Sequence, residues 1–187
     1  MRKFMRFAVA LAMLALVVPG KAWAASVDDS DTVTVNVGNV LSITDEVGNF
    51  TLTFDSTTGT VAGSVTAGQT VGYVLRANNM SNSAIAGALS AKISTALDGI
   101  TFRANAGMAY TATPGSDAGN ATLNPVSSGA VNIGTSATAL YDKPSSTGNQ
   151  GKVLNGTAFV NWGAVAARDL ADADGGSMTL TVTLKDV

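Results

Sequence analysis

Apolar and polar residues alternate along several runs of this sequence, and that period of two constrains the fold more than any other feature. The clearest runs are residues 32–37, 50–54, 71–77 and 178–184, most of them apolar on one side and rich in threonine on the other. Successive side chains of a β-strand point to opposite faces, so each run is typical of a half-buried strand. Turn-forming residues separate the runs, roughly every eight to twelve residues. The sequence therefore predicts an all-β fold, an Ig-like or jelly-roll β-sandwich.

The first 24 residues have the pattern of a secretory signal peptide. Arg2, Lys3 and Arg6 form a basic front, residues 7–18 an apolar core, and residues 22–24 (Ala-Trp-Ala) a small-x-small cleavage site. The apolar run is shorter than the roughly 20 residues that a membrane-spanning helix needs. We therefore expect cleavage and secretion, with no membrane association afterwards. Removal of 24 from 187 residues leaves 163, enough for one domain with a sizeable core.

Charge and missing residue types limit the possible functions. All 13 carboxylates follow the predicted signal peptide, whereas four of the 11 basic residues lie in it, so cleavage changes the net charge from −2 to −6. That charge argues against nucleic acid and anionic lipid as partners. The chain contains neither cysteine nor histidine, which excludes disulfides, a Ser-His-Asp triad and thiolate or imidazole metal sites. We expect no cofactor, no metal and no enzyme. A glycosidase needs only two carboxylates, and it stays the least favoured class.

Local patterns predict further elements. Residues 45–49 (DEVGN) predict a turn that joins the preceding strand to a strand at Phe50, Leu52 and Phe54, which together make a hairpin. Residues 84–97 fit a strand or a helix, and the hairpin-like flanks favour the strand. In the strand predicted over residues 152–162, Asn155-Gly156 could instead form a tight turn.

Two other segments are open to interpretation. Residues 164–172 have helix propensity and predict a short surface helix. In the N-terminal run of residues 32–43, either one strand passes straight through or Gly38 marks a bulge or hinge between two separately paired pieces.

Two candidate ligand sites have weak patterns. The loop of residues 172–176 (DADGG) resembles the start of a calcium loop, but the sixth and twelfth positions hold Ser177 and Thr183 instead of glycine and glutamate. A turn before the final strand is the better interpretation. Trp162, with Tyr141 beside it, could stack on a sugar ring as a glycan platform, although a single tryptophan in an extended apolar segment more often belongs to the core.

The chain as a whole resembles secreted fibre-forming subunits. The resemblance rests on the signal peptide, the alternating N-terminal arm, the single β domain rich in Ser, Thr, Gly and Ala, and the final alternating strand. It extends to the bundling-pilus and biofilm-matrix fibre proteins and, more distantly, to the spore-coat-U type of chaperone-usher pilins. The cysteine pair common in those pilins is missing, and the C-terminal TLTVTLKDV lacks their penultimate tyrosine. The resemblance implies polymerisation by donor-strand complementation, in which the N-terminal strand of one subunit completes the sheet of the next.

These observations predict three segments: a signal peptide (1–24), an N-terminal arm (25–43) and a β-sandwich domain (44–187). The expected function is that of an extracellular fibre or pilus subunit, with other copies of the chain as partners and a chaperone or anchoring protein as a further candidate partner. The predicted donor residues are Val33, Val35, Val37, Leu41 and Ile43, and the predicted acceptor residues are Met178, Leu180, Val182 and Leu184. The alternative is a monomeric secreted carbohydrate-binding or adhesive surface module.

Overall fold

Ten strands make up the regular structure of the part of the chain that the structure describes. The computed structural model describes residues 41–55, 57–78, 80–113, 121–147, 153–171 and 174–185, and within those ranges it contains no helix. The strands are β1 (Leu41–Asp45), β2 (Gln69–Ala77), β3 (Ile85–Ile93), β4 (Ile100–Ala104), β5 (Ala109–Ala112), β6 (Asn124–Pro125), β7 (Val131–Asn132), β8 (Thr138–Lys143), β9 (Leu154–Ala166) and β10 (Leu180–Leu184).

The strands form two antiparallel sheets. The first has the order β1-β2-β9-β4-β7, and β5 also pairs with β9. The second has the order β10-β3-β8-β6. Their inward-facing residues share one hydrophobic core, so the predicted all-β sandwich is confirmed.

The core follows the alternation of the sequence. In β2, the side chains of Val71, Tyr73, Leu75 and Ala77 are buried, and in β9 every second residue from Leu154 to Ala166 is buried. These inward faces are apolar because burial of apolar surface is the main favourable contribution to folding. The period of two therefore predicted correctly which face of these strands lies inward.

The strand interpretation of residues 84–97 is confirmed, with a local irregularity. β3 pairs with β8 and β10, and its register against β8 shifts between Ile85 and Leu89. Gly87 lies at this bulge with φ +60°, where a Cβ atom would lie 3.2 Å from Cβ of Ala139. A glycine is needed at this position because other residues disfavour that backbone conformation.

One prediction for β9 is wrong, and one alternative to a predicted strand is excluded. Residues 164–166 continue β9 and pair with β4, so the predicted helix over residues 164–172 does not form. Ala164 and Ala166 are buried between neighbouring strands, and this tertiary packing overrides the helix propensity of alanine. Asn155-Gly156 lies within β9 and makes no turn, so the strand predicted over residues 152–162 is confirmed from Leu154 onward.

The predicted hairpin of residues 41–54 is also wrong. β1 pairs instead with β2, with Ile43 opposite Leu75. Residues 50–54 follow β1 but belong to neither sheet. Alternation predicted their burial pattern, but it carries no information on which backbone they pair with.

Candidate functional site

The final strand, β10, lies at the edge of its sheet. Among the described residues its only ladder partner is β3. The amide of Ser94 donates to the carbonyl of Thr179, and the amide of Lys185 donates to the carbonyl of Ala88. Because bonded and non-bonded pairs alternate in an antiparallel ladder, the odd-numbered residues of this strand bond to β3. The N–H and C=O groups of Leu180, Val182 and Leu184 therefore point away from the sheet.

The same three residues direct their side chains towards the core. Leu184 is buried, Leu180 and Val182 are half-buried, and Thr181 and Thr183 are exposed. Met178, Leu180 and Val182 pack against the core without being enclosed by it. Four predicted acceptor residues thus lie along one free sheet edge, with apolar surface still partly open to solvent.

Within the described ranges, β1 forms one free edge of the other sheet. The amide of Glu46 donates to the carbonyl of Gly72, so Ser42 and Thr44 bond to β2. The backbone groups of Leu41 and Ile43 point outward. β1 and β10 contact each other across the sandwich, so the two edges open on the same side of the molecule.

The pairing of β1 changes the assignment of the donor residues. Leu41 and Ile43 belong to a strand that completes its own sheet, since both lie opposite residues of β2 in the same chain. Ile43 also packs against the core, whereas Leu41 is 44% exposed. The other predicted donor residues, Val33, Val35 and Val37, lie outside the described residues, as does Gly38.

Residues 50–54, hereafter the free segment, follow β1 and have a strand-like burial pattern. Phe50 and Leu52 pack against the core, Phe54 is half-buried, and Thr51 and Thr53 are exposed. Among the described residues their backbone makes no backbone–backbone hydrogen bond. The sequence pattern predicted a strand at these residues. It did not indicate that none of the described strands would pair with them.

The two aromatic residues of the predicted glycan platform lie in the core. Trp162 and Tyr141 are each 0% exposed. Nε1 of Trp162 donates to the Tyr73 hydroxyl at 3.0 Å, and the Trp162 ring stacks on Phe102 with a centroid distance of 5.3 Å. The Tyr141 hydroxyl lies 2.9 Å and 2.6 Å from the carbonyl oxygens of Ala109 and Phe159. Neither ring face is available to a sugar, which corrects the platform in favour of the core interpretation.

One buried lysine had no signal in the sequence. Lys143 is 1% exposed at the end of β8, and its Nζ donates to the carbonyls of Ser83 (3.2 Å) and Pro144 (3.1 Å). Burial lowers the pKa of this ammonium group because it disfavours the charged form. These bonds tie the loop before β3 to the end of β8, so Lys143 serves the fold.

Charged side chains around Arg168 also hold parts of the fold together. Arg168 pairs with Asp98 at 3.0 Å and with Asp174 at 2.8 Å, which connects three surface loops. The guanidinium hydrogen bond, followed by the bond from the Ala171 amide, lowers the pKa of Asp174. The described residues contain no cluster of three or more metal-ligating side chains. Asp172 and Ala173, in the loop first compared with a calcium site, lie outside those residues.

The fold and its edges define a class of protein: a β-sandwich in which, as far as the described residues show, one free edge of each sheet lies on the same side. Comparisons of the chain with protein-family models, with curated proteins and with solved structures give no match. The described residues also include no helix with the length and apolar character needed to cross a membrane.

Proposed function

We propose that this protein is a structural subunit of an extracellular fibre or pilus. In this proposal, the N-terminal arm of one copy adds as a strand to the free edge of β10 in the next copy. The observation that supports it is the combination on β10 of outward backbone groups with half-buried Leu180 and Val182. Strand addition to an exposed sheet edge is an established recognition mode, in which the backbone provides affinity and alternate side chains provide specificity.

The donor segment in this proposal is shorter than the sequence first indicated. Leu41 and Ile43 pair with β2 of their own chain, so the donor residues are Val33, Val35 and Val37. Six residues in a strand span about 20 Å. That length is sufficient to pair with the five residues of β10, Leu180–Leu184.

A comparison of burial and ordering free energies indicates that backbone hydrogen bonds at the β10 edge are needed to hold the arm. Burial of each valine contributes about 1.5 to 3 kcal/mol. Ordering of each backbone residue costs about 1 to 2 kcal/mol. Side-chain burial of three valines therefore does not hold a six-residue arm by itself. Ladder hydrogen bonds to Leu180, Val182 and Leu184 supply the rest.

The proposal includes secretion of the chain before its assembly. The predicted signal peptide directs the chain out of the cell, and the partners are other copies of the chain, with a chaperone or anchoring protein as a further candidate. The role requires neither catalysis nor a cofactor. The carbohydrate-binding alternative has lost its aromatic platform, because Trp162 and Tyr141 are buried.

Electron microscopy of two purified forms of the secreted protein tests the proposal. The first form is the mature chain and the second lacks residues 25–37. We expect filaments from the mature chain only. A matched control replaces Thr34 by serine, which preserves the valine face and should leave filaments intact. Filaments of equal number and length from the shortened chain would refute the donor role of the arm.

A further inference from the structure

The free segment (residues 50–54) has strand-like side chains without a strand partner. Phe50 and Leu52 pack against the core, and threonines occupy the exposed face. Among the described residues, the only hydrogen bond to this backbone is a long one of 3.4 Å, from the Thr58 hydroxyl to the carbonyl of Thr53. Backbone polar groups need a partner, and none of the other described residues supplies one here, which leaves these groups available to water or to a further segment.

Three other edges of the sandwich carry features that hinder strand addition, whereas the free segment, like β10, carries none within its own residues. β6 contains Pro125, β7 is only two residues long, and β1 ends in Asp45. Proline, charge and short length are the usual protections of sheet edges. Residues 50–54 contain no proline and no charged residue. This segment therefore shares with β10 the lack of these protections.

The sequence of the free segment reads the same in both directions, Phe-Thr-Leu-Thr-Phe. When two copies of such a segment pair antiparallel about Leu52, each residue type meets its own type. Phe50 then faces Phe54 of the second copy, and Thr51 faces Thr53 of the second copy. Aromatic pairs and threonine pairs are favourable cross-strand neighbours. In this single register, every residue of the segment therefore lies opposite a residue of its own type.

Charges at the ends of the segment agree with this register. Continuing it by one residue places Asn49 opposite Asp55 of the second copy, an amide opposite a carboxylate, so no like charges meet. The Asp55 carboxylate also accepts hydrogen bonds from the amides of Thr57 and Thr58 at 2.8 and 2.9 Å, which lowers its pKa and keeps it ionised.

From these observations we propose that the free segment pairs antiparallel with the same segment of a second copy, about a two-fold axis. A symmetric interface of this kind uses one surface on both partners. The contact does not involve the N-terminal arm, so it goes beyond the proposed strand addition and would join neighbouring subunits or fibres laterally. Five residues on each side bury far less than the roughly 1,200 Å² of a stable interface. The pairing is therefore weak in dilute solution and forms where copies are concentrated.

Disulfide trapping tests the register, and the absence of native cysteine makes the test clean. The Thr51→Cys and Thr53→Cys variants are prepared as separate mature proteins, mixed and oxidised. Opposite residues in a ladder have Cβ atoms about 5 Å apart, whereas diagonal neighbours are about 7 to 8 Å apart. We expect the mixed dimer of the two variants to form several-fold faster than the homodimer of either one. Thr183→Cys, on exposed β10, is the control and should not cross-link preferentially to Thr51→Cys.

Two results would overturn the proposal. Equal rates for the mixed dimer, both homodimers and the control pair would indicate random collision. Preferential cross-linking of Thr51→Cys to a Thr34→Cys variant would identify the N-terminal arm as the occupant of the free segment. The β10 edge is tested separately by Val182→Pro, which removes the outward amide of β10, so failure of this pairing is distinguishable from failure of strand addition at β10.

Discussion

Nε1 of Trp162 donates a hydrogen bond to the hydroxyl of Tyr73 across the β2–β9 pair, at 3.0 Å and inside the core. The two rings meet edge to face, with centroids 6.4 Å apart and planes at 87°. Trp162 is thus fixed on one side by Tyr73 and on the other by the stacked ring of Phe102. Aromatic pairs of this geometry contribute about 0.5 to 1.5 kcal/mol beyond their buried area.

Replacement of Tyr73 by phenylalanine should destabilise the protein. The substitution leaves the buried Nε1 of Trp162 without its acceptor, and an unsatisfied buried donor costs about 1 to 3 kcal/mol. Urea unfolding followed by tryptophan fluorescence measures the change, because Trp162 is the only tryptophan after the predicted cleavage. An unfolding free energy equal to that of the wild type would contradict the role assigned to this bond.

Replacement of Tyr110 and of Tyr141 by phenylalanine should change the unfolding free energy differently. The Tyr110 hydroxyl is buried and has no hydrogen-bond partner among the described residues, whereas the Tyr141 hydroxyl bonds within the core. Tyr110→Phe should therefore leave the unfolding free energy unchanged or raised. Tyr141→Phe should lower it by about 1 to 2 kcal/mol. Thermal denaturation of both variants against the wild type is the measurement, and a larger loss for Tyr110→Phe would count against the packing described here.

The protein should lose stability at alkaline pH as its tyrosines ionise. Burial raises the pKa of Tyr73 and of Tyr110 from 10.0 to about 12, and it raises the pKa of Tyr141 as well. A raised folded-state pKa gives stability that is complete below pH 10 and is lost as the pH rises towards 12. These are all the tyrosines of the chain. Absorbance at 295 nm should therefore show no ionisation near pH 10 in the folded protein, whereas in urea the midpoint of ionisation should lie there.

Gly156 should not tolerate alanine. A Cβ atom there would lie 2.5 Å from the carbonyl oxygen of Thr111 and from the hydroxyl of Tyr110. Overpacking of this kind costs about 1 to 3 kcal/mol. Gly134→Ala is the matched control, since a Cβ atom at Gly134 meets nothing within 4 Å. Comparable unfolding free energies for the two variants would show that β5 moves away from β9 without cost.

Val182→Pro should block assembly and spare the fold. The amide of Val182 points away from β3, so proline at this position removes a donor only from the free edge. Val182→Ala loses the same packing but retains the amide, which makes it the matched control. We expect filaments from Val182→Ala and none from Val182→Pro, with similar thermal stability of the two monomers. Filaments from Val182→Pro would exclude β10 as the acceptor edge.

The alternation of apolar and polar residues predicted the sandwich because this pattern is contained in short stretches of sequence. The inward faces of β2, β3 and β10 could be assigned from residues such as Leu75, Leu89 and Leu184 alone. Partner choice is a property of the tertiary structure. β1 therefore pairs with β2 and does not form the predicted hairpin with residues 50–54.

Glycine and alanine were the other source of error. Asn155-Gly156 resembles a turn, but the glycine serves the close approach of Tyr110 to β9. The residues around Ala164 and Ala166 resemble a helix, but the small side chains of these two alanines fit the core beside β4.

The burial of Lys143 depends on two carbonyls from different loops, and no local pattern could predict it. In β10, the sequence predicted which side chains face the core. It did not predict that the strand lies at the edge of its sheet.

Amide hydrogen exchange in β10 tests strand addition most directly. In the protein that lacks residues 25–37, the amides of Thr181 and Thr183 should be protected by β3, and those of Leu180, Val182 and Leu184 should exchange rapidly. Assembly of the mature chain should then protect all five amides. Unchanged rapid exchange at Leu180, Val182 and Leu184 in assembled filaments would contradict the proposed function.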